Sequence, residues 1–168
     1  MKKIHEITVS AILIALCILI PMFFPKLVVM PPFTATLASH VPLMIAICIS
    51  PKIAIYVSLG SILGFFIAFP GLPVVPARAI AHVIFAIPAS YIIKKKINIL
   101  LIIFVSGVIH AIFEMLVILI PIFYPTEVGI YQALTIMGVG TFLHHFFDVG
   151  IVAPIVKILK QVNIKWFA

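Results

Sequence analysis

The chain has 168 residues, 65% of them hydrophobic and 9% charged, with a mean hydropathy of +1.40 and a formal net charge of +7. Soluble domains run near half apolar and a quarter charged, and disordered chains are poorer still in apolar residues, so both classes are excluded. What remains is an integral membrane protein: at roughly 20 residues per span, the length holds about six helices and no soluble catalytic domain. No G-x-x-x-x-G-K-[ST] phosphate loop occurs, so ATP hydrolysis would need a partner. Cys17 and Cys48 sit in apolar segments without metal-type spacing and read as packing residues.

Lys2 and Lys3 precede an apolar stretch, but Glu6 intrudes and no small-residue cleavage pattern follows before Pro21, so the segment reads as a retained first helix over 7–22. A connection over 23–35 carries Pro25, Pro31 and Pro32. A short second helix is expected over 36–49, and Ser50-Pro51-Lys52 turns the chain into a third over 53–69. Pro70-Gly71-Leu72-Pro73 ends that helix, and Pro76 suits the first turn of a fourth over 76–93, closed by Lys94-Lys95-Lys96. A fifth helix is expected over 98–120. After a segment with Pro125 and Glu127, a sixth runs over 130–159 into a basic tail. The expectation is a single all-α transmembrane domain over 1–168, polytopic, with six transmembrane helices.

Strict alternation of those spans gathers Lys2, Lys3, Lys52, Lys94, Lys95, Lys96, Lys157, Lys160 and Lys165 on one side, against Lys26 and Arg78 on the other. By the positive-inside rule the lysine-rich side, with both termini, is cytoplasmic. Five or seven spans would scatter the lysines. No tandem or inverted repeat is evident, against a transporter built from repeated halves.

Ionisable residues inside a span cost roughly 2.5–3.5 kcal/mol each on insertion scales and mark functional positions. Arg78 and His82, His110 and Glu114, and His144 and Asp148 form three pairs spaced by four on consecutive helices, so each pair shares a face. His145 adjoins the last pair, and His40, beside Ser39, lies at a similar outer depth. Taken singly, each pair fits interhelical hydrogen-bonded glue equally well, and Arg78 also fits a residue snorkelling outward. Together they describe a polar pocket open to the outside and floored near mid-membrane.

Guanidinium in a low-dielectric site favours a carboxylate, and Phe65, Phe66, Phe69, Phe85, Phe113, Tyr124, Tyr131 and Phe142 offer rings for a flat ligand, though most also fit lipid-facing or core positions. The expected solute is small, planar and carboxylate-bearing. A divalent metal is the rival by ligand type, but no compact H-E-x-x-H motif appears and Arg78 is an awkward neighbour for a cation, so no metal site and no cofactor is assigned. Catalysis is not expected either. His145 and Asp148 could be read as base and orienter, but no nucleophile accompanies them, and Ser39, Ser58, Ser61 and Ser106 read as helix-packing residues.

Ala11-x-x-x-Ala15 in the first helix and Gly60-x-x-x-Gly64 in the third are small-residue faces that let backbones approach closely, most simply inside the bundle. With that alanine pattern, six spans and basic cytoplasmic ends, the chain resembles the substrate-binding S component of an energy-coupling-factor (ECF) transporter. The stretches Phe33-Thr-Ala-Thr-Leu-Ala-Ser-His-Val-Pro42 and Arg78-Ala-Ile-Ala-His-Val-Ile-Phe-Ala86 are similar to the niacin-type members. The resemblance implies a vitamin importer subunit in a prokaryotic plasma membrane, without nucleic-acid partners, with its ligand site near the outer side and the 23–35 loop as a lid. It also implies that Ala11 and Ala15 meet a separate membrane coupling protein carrying two ATPase subunits. Nicotinate, a flat ring with one carboxylate, fits the pocket: Arg78 would take the carboxylate with His82 or His40 assisting. His110 and Glu114, or His144 and Asp148, would meet the ring nitrogen. Another vitamin, a divalent metal or an intramembrane reaction are the alternatives.

Overall fold

The computed structural model describes residues 3–30, 33–95, 98–123 and 128–162. Lys2, Pro31, Pro32, Lys96, Tyr124, Pro125, Glu127 and Lys165 lie outside the described residues. The fold is that of an all-α polytopic membrane protein with one β-hairpin added. Its elements are α1 (Lys3–Phe23), β1 (Lys26–Met30), β2 (Phe33–Thr36), α2 (Val41–Ile49), α3 (Pro51–Ala68), α4 (Val74–Ala79), α5 (Ala81–Ile92), α6 (Ile99–Ile118) and α7 (Ile130–Gln161). Five helical units are long and apolar enough to cross a membrane: α1, α3, the α4–α5 unit over Val74–Lys95, α6 and α7.

The sixth, α2, is shorter than the sequence suggested. Nine residues rise roughly 14 Å, about half of a hydrocarbon core. The stretch expected to begin it is instead strand and turn, because Ala38 takes a left-handed backbone (φ 65°) that a helix cannot contain. The described part of the connection before it forms the two antiparallel strands of a hairpin, Lys26 pairing with Thr36 and Val28 with Thr34, with a bulge before Met30 and Phe33. Chain reversal after α2 follows the expected signal. Ser50 Oγ accepts from Ile53 N at 3.2 Å, and Pro51 opens α3.

The fourth helix is broken at Ile80, whose N–H reaches back only to Ala77 O (3.2 Å), so α4 and α5 meet at a tightened turn. At 32 residues, α7 is roughly 48 Å long, more than a bilayer core requires. Only 17% of its most apolar stretch is buried, which leaves the rest for lipid.

The Gly60-x-x-x-Gly64 face packs inside the bundle. A Cβ on Gly60 would meet Ile14 side-chain atoms at 2.7 Å, and one on Gly64 would collide with the Cys17 carbonyl, so α3 backbone meets an α1 side chain at Gly60 and α1 backbone at Gly64. Ala11 and Ala15 lie on the opposite, exposed face of α1, while Leu13, Cys17 and Ile20 point inward. Glu6 and Lys52 pair at 2.7 Å, placing the starts of α1 and α3 at one end of the bundle, the basic end. At the other, hairpin end, Lys26 donates to Ala68 O (3.2 Å) and lies over the Phe69 ring.

One apolar core, around Leu43, Ala46, Ile53, Val57, Phe85 and Ala86, fills the interior toward the basic end. Smaller apolar clusters hold the hairpin end: Phe33 and Ala35 of β2 pack on Ile118, Ala133 and Met137. The polar residues lie between these clusters.

Candidate functional site

Under the hairpin, β2, the turn after it, α3, α4, α5, α6 and α7 enclose a cavity of about 20 Å³. Its walls are Phe33, Thr34, Ala35, Thr36, Ser39, His40, Phe65, Val75, Arg78, Ala79, His82, Glu114, Thr141 and His144. Five of the seven polar residues singled out in the sequence therefore line one space. The other two, His110 and Asp148, stand directly behind it, fully buried.

Arg78 is 5% exposed, which removes the snorkelling reading. Its Nη2 and Nε donate to a single oxygen of Glu114, Oε2, at 2.7 and 3.1 Å. Thr141 Oγ1 donates to that same oxygen at 2.6 Å. The outer edge of the guanidinium reaches the hairpin more loosely, Nη1 to Thr34 Oγ1 and Nη2 to Thr34 O, both at 3.3 Å. The Phe33 ring lies 5.7 Å from Cζ, within cation–π range. Gly140 makes room for that ring, since a Cβ there would meet it at 2.9 Å.

Asp148 organises the turn that the strained Ala38 enters. Its Oδ1 accepts from Ala38 N (3.0 Å), and Oδ2 accepts from His40 N (3.0 Å) and His40 Nδ1 (2.8 Å). Because a carboxylate only accepts, His40 Nδ1 carries a proton, and a neutral His40 presents a bare Nε2. That Nε2 lies 2.9 Å from His82 Nε2, which donates to it, and His82 Nδ1 then accepts from Ser61 Oγ at 2.8 Å. His144 is the less buried of the adjacent pair, bonded to Ser39 Oγ (3.2 Å) and 3.6 Å from Asp148 Oδ2. His145 turns the other way, to Ser106 Oγ (3.1 Å) and His110 Nδ1 (3.4 Å).

Arg78 and His82, expected as one pair, go to different partners: the break at Ile80 sends one to Glu114 and the other to Ser61 and His40. His110 and Glu114 do approach, Nε2 to Oε1, at 3.3 Å. Ser61, Ser106 and Ser39 do more than pack helices, since each holds a histidine; Ser58 bonds only the Ile55 carbonyl. Of the proposed aromatics, Phe65 meets the cavity and Phe85 backs His82, His110 and His145. Phe66 and Tyr131 are exposed on the outside.

Phe33, Thr34 and Thr36 entered the sequence reading only as part of the niacin-type stretch and Thr141 not at all; none was assigned to the site, and all are in the wall. The β-branched alternation of Phe33-Thr34-Ala35-Thr36 was the signal available for the first three. Two groups of side chains bring ligand atoms within 4.8 Å of one another, His40 with His82 and His110, and His40 with His144 and Asp148.

A second cavity, about 340 Å³, opens toward the basic end between α2, α5, α6 and α7. Its walls are apolar apart from Cys48, Ser106 and His145, and Lys157 and Lys160 stand with them.

No family model and no solved structure matches the chain. A curated relative does: the niacin transporter NiaX of Lactococcus lactis subsp. cremoris (strain MG1363) is 31% identical over 172 aligned positions, spanning 95% of this chain and 76% of the relative. An all-α membrane fold, a buried polar cavity under one end and this whole-chain similarity agree, and the chain belongs to the niacin-type S components of the energy-coupling-factor transporters.

Proposed function

We propose that this chain captures nicotinate, or a closely similar carboxylate vitamin, at the hairpin end facing outward. It then delivers the vitamin inward through a separate coupling protein and ATPases. The observation that carries the reading is Arg78: a buried guanidinium at the cavity wall, firmly bonded to Glu114 on one edge and meeting Thr34 through two looser 3.3 Å contacts on the other. A ligand carboxylate can replace Thr34 on that second edge and gain charge-assisted bonds where neutral ones stood. Thr36 Oγ1, buried in the wall with no hydrogen-bond partner, offers a further contact.

A volume of about 20 Å³ holds about one water, far less than a pyridine ring. Entry therefore requires the hairpin carrying Phe33 and Thr34 to lift, and closure over the bound ring restores the exclusion of water. Phe65 and Phe33, both in the wall, are the rings we assign to a flat ligand. Transport rather than chemistry is the role, and the exposed Ala11–Ala15 face of α1 is the surface we assign to the coupling protein.

Radiolabelled nicotinate should bind the purified chain saturably, with nicotinamide, which lacks the carboxylate, competing at least about tenfold more weakly, since a charge-assisted bond is worth roughly 1.5–3 kcal/mol. Equal competition by the amide would remove the carboxylate reading. In cells carrying the coupling proteins, Ala15→Trp should leave binding unchanged and abolish uptake; normal uptake would remove the assignment of that face.

A further inference from the structure

Three histidines, two in the cavity wall and one directly behind it, come from three different parts of the fold: His40 from the turn before α2, His82 from α5 and His110 from α6. Their ring centroids are 4.7, 4.8 and 5.2 Å apart, the planes crossing at 87°, 81° and 71°. Rings stacked for packing alone have no reason to converge nitrogen to nitrogen, yet one nitrogen of each lies within 4.8 Å of those of the others. Nδ1 of every ring is already engaged, on Asp148 for His40 (2.8 Å), Ser61 for His82 (2.8 Å) and His145 for His110 (3.4 Å). The remaining nitrogens are the three Nε2 atoms, those of His40 and His82 sharing one hydrogen bond at 2.9 Å. A ligating imidazole held through its other nitrogen by a carboxylate, hydroxyl or second imidazole is the arrangement metal sites use to fix tautomer and orientation.

Two further observations point to a cation there. His110 Nε2 is fully buried and makes no well-directed hydrogen bond, with Glu114 Oε1 3.3 Å away, so a carboxylate oxygen stands where it would also meet a cation held on that nitrogen. Two carboxylates, Glu114 and Asp148, stand at the cluster against one guanidinium, and Glu114 already engages the guanidinium that would repel a cation.

We propose that His40, His82 and His110 bind one divalent transition-metal ion of the zinc class through Nε2, and that its open position takes one oxygen of the bound vitamin's carboxylate, the other oxygen being the one that meets Arg78. Three neutral imidazoles with a vacant fourth position suit zinc, whose nitrogens in a tetrahedral site lie about 3.3 Å apart. The 2.9 Å separation of His40 and His82 Nε2 needs only a small widening, with the His82 proton shifting to Nδ1 to face Ser61. The metal part stands on this geometry alone; the carboxylate part rests on the vitamin reading above.

The chain is purified in detergent, stripped with a chelator, dialysed against Zn²⁺ without vitamin, and its bound metal counted by mass spectrometry. About one Zn²⁺ per chain is expected, with affinity at least about tenfold weaker in His82→Asn and His110→Asn and unchanged in His5→Asn. Co²⁺ on the unmutated chain should give the visible absorption of tetrahedral nitrogen ligation, which needs no variant to fold. No stoichiometric Zn²⁺ on the unmutated chain, or full retention in both variants, overturns the metal site. Nicotinate binding is then compared in stripped and loaded protein. Binding that chelation leaves unchanged overturns the carboxylate contact. Nicotinate binding absent from both removes the vitamin reading and with it that contact, while the metal site still stands or falls on its stoichiometry.

Discussion

Two cavities of this molecule differ in the opposite sense to their sizes. The one toward the basic end is large, about 340 Å³, and almost wholly apolar; the one beneath the hairpin is about 20 Å³ and walled by an arginine, a glutamate and three histidines. In a membrane protein an apolar void is inexpensive, because lipid chains or loose packing can fill it. A buried charge is not, and must be held by partners. Function is therefore read from the small cavity, where the fold has collected costly groups and satisfied nearly all of them.

That contrast can be broken most sharply through Arg78. Arg78→Ala strands Glu114 as an uncompensated buried charge and should destabilise the chain by about 3–5 kcal/mol, seen as a large drop in melting temperature in detergent. Adding Glu114→Met to Arg78→Met should return most of that stability; a double variant as unstable as the single one would deny that the two charges are coupled.

Asp148→Asn comes next, at about 2 kcal/mol. The amide cannot accept from Ala38 N, His40 N and His40 Nδ1 together as the carboxylate does. Thermal melts of the two proteins decide it, and equal midpoints would mean that the turn holds without its carboxylate.

Ala38→Gly acts in the other direction. Relief of the left-handed backbone, less the entropy glycine adds to the unfolded chain, should gain roughly 0.5–1 kcal/mol with no change in ligand affinity. Loss of stability there would show that the methyl group, packed among Ile20, Val41 and Met44, outweighs the strain.

The smallest effect is expected at the apolar cavity: Ala153→Leu, which places bulk in its wall, should leave vitamin affinity within about twofold. A larger change in a binding isotherm would give that cavity a part in binding.

The costly groups were the legible ones. Arg78, His82, His110, Glu114, His144 and Asp148 stand out in apolar helices because each demands a partner, and the structure gathers them with His40. The helix spacing of four was a poorer guide. It paired His110 with Glu114 but could not foresee the break at Ile80, which no proline or glycine marks and which sends Arg78 and His82 apart. Adjacent histidines 144 and 145 project about 100° apart on α7, so only packing decides that one meets Ser39 and the other Ser106. Prolines at 25, 31 and 32 drew attention away from the alternation in 33–36, and the hairpin with Thr34 was missed. Serines bonding a local carbonyl and serines bonding a histidine look alike in sequence; Ser106 does both.

The most direct test of the central claim compares nicotinate binding, by radioligand titration, among three folded proteins: the unmutated chain, Arg78→Met/Glu114→Met, and Ala153→Leu. The account predicts affinity lost by at least about 100-fold in the double variant, in keeping with removal of charged hydrogen-bond partners, and kept in Ala153→Leu. Retained binding in the double variant, or loss confined to Ala153→Leu, would move the vitamin out of the hairpin cavity and contradict it.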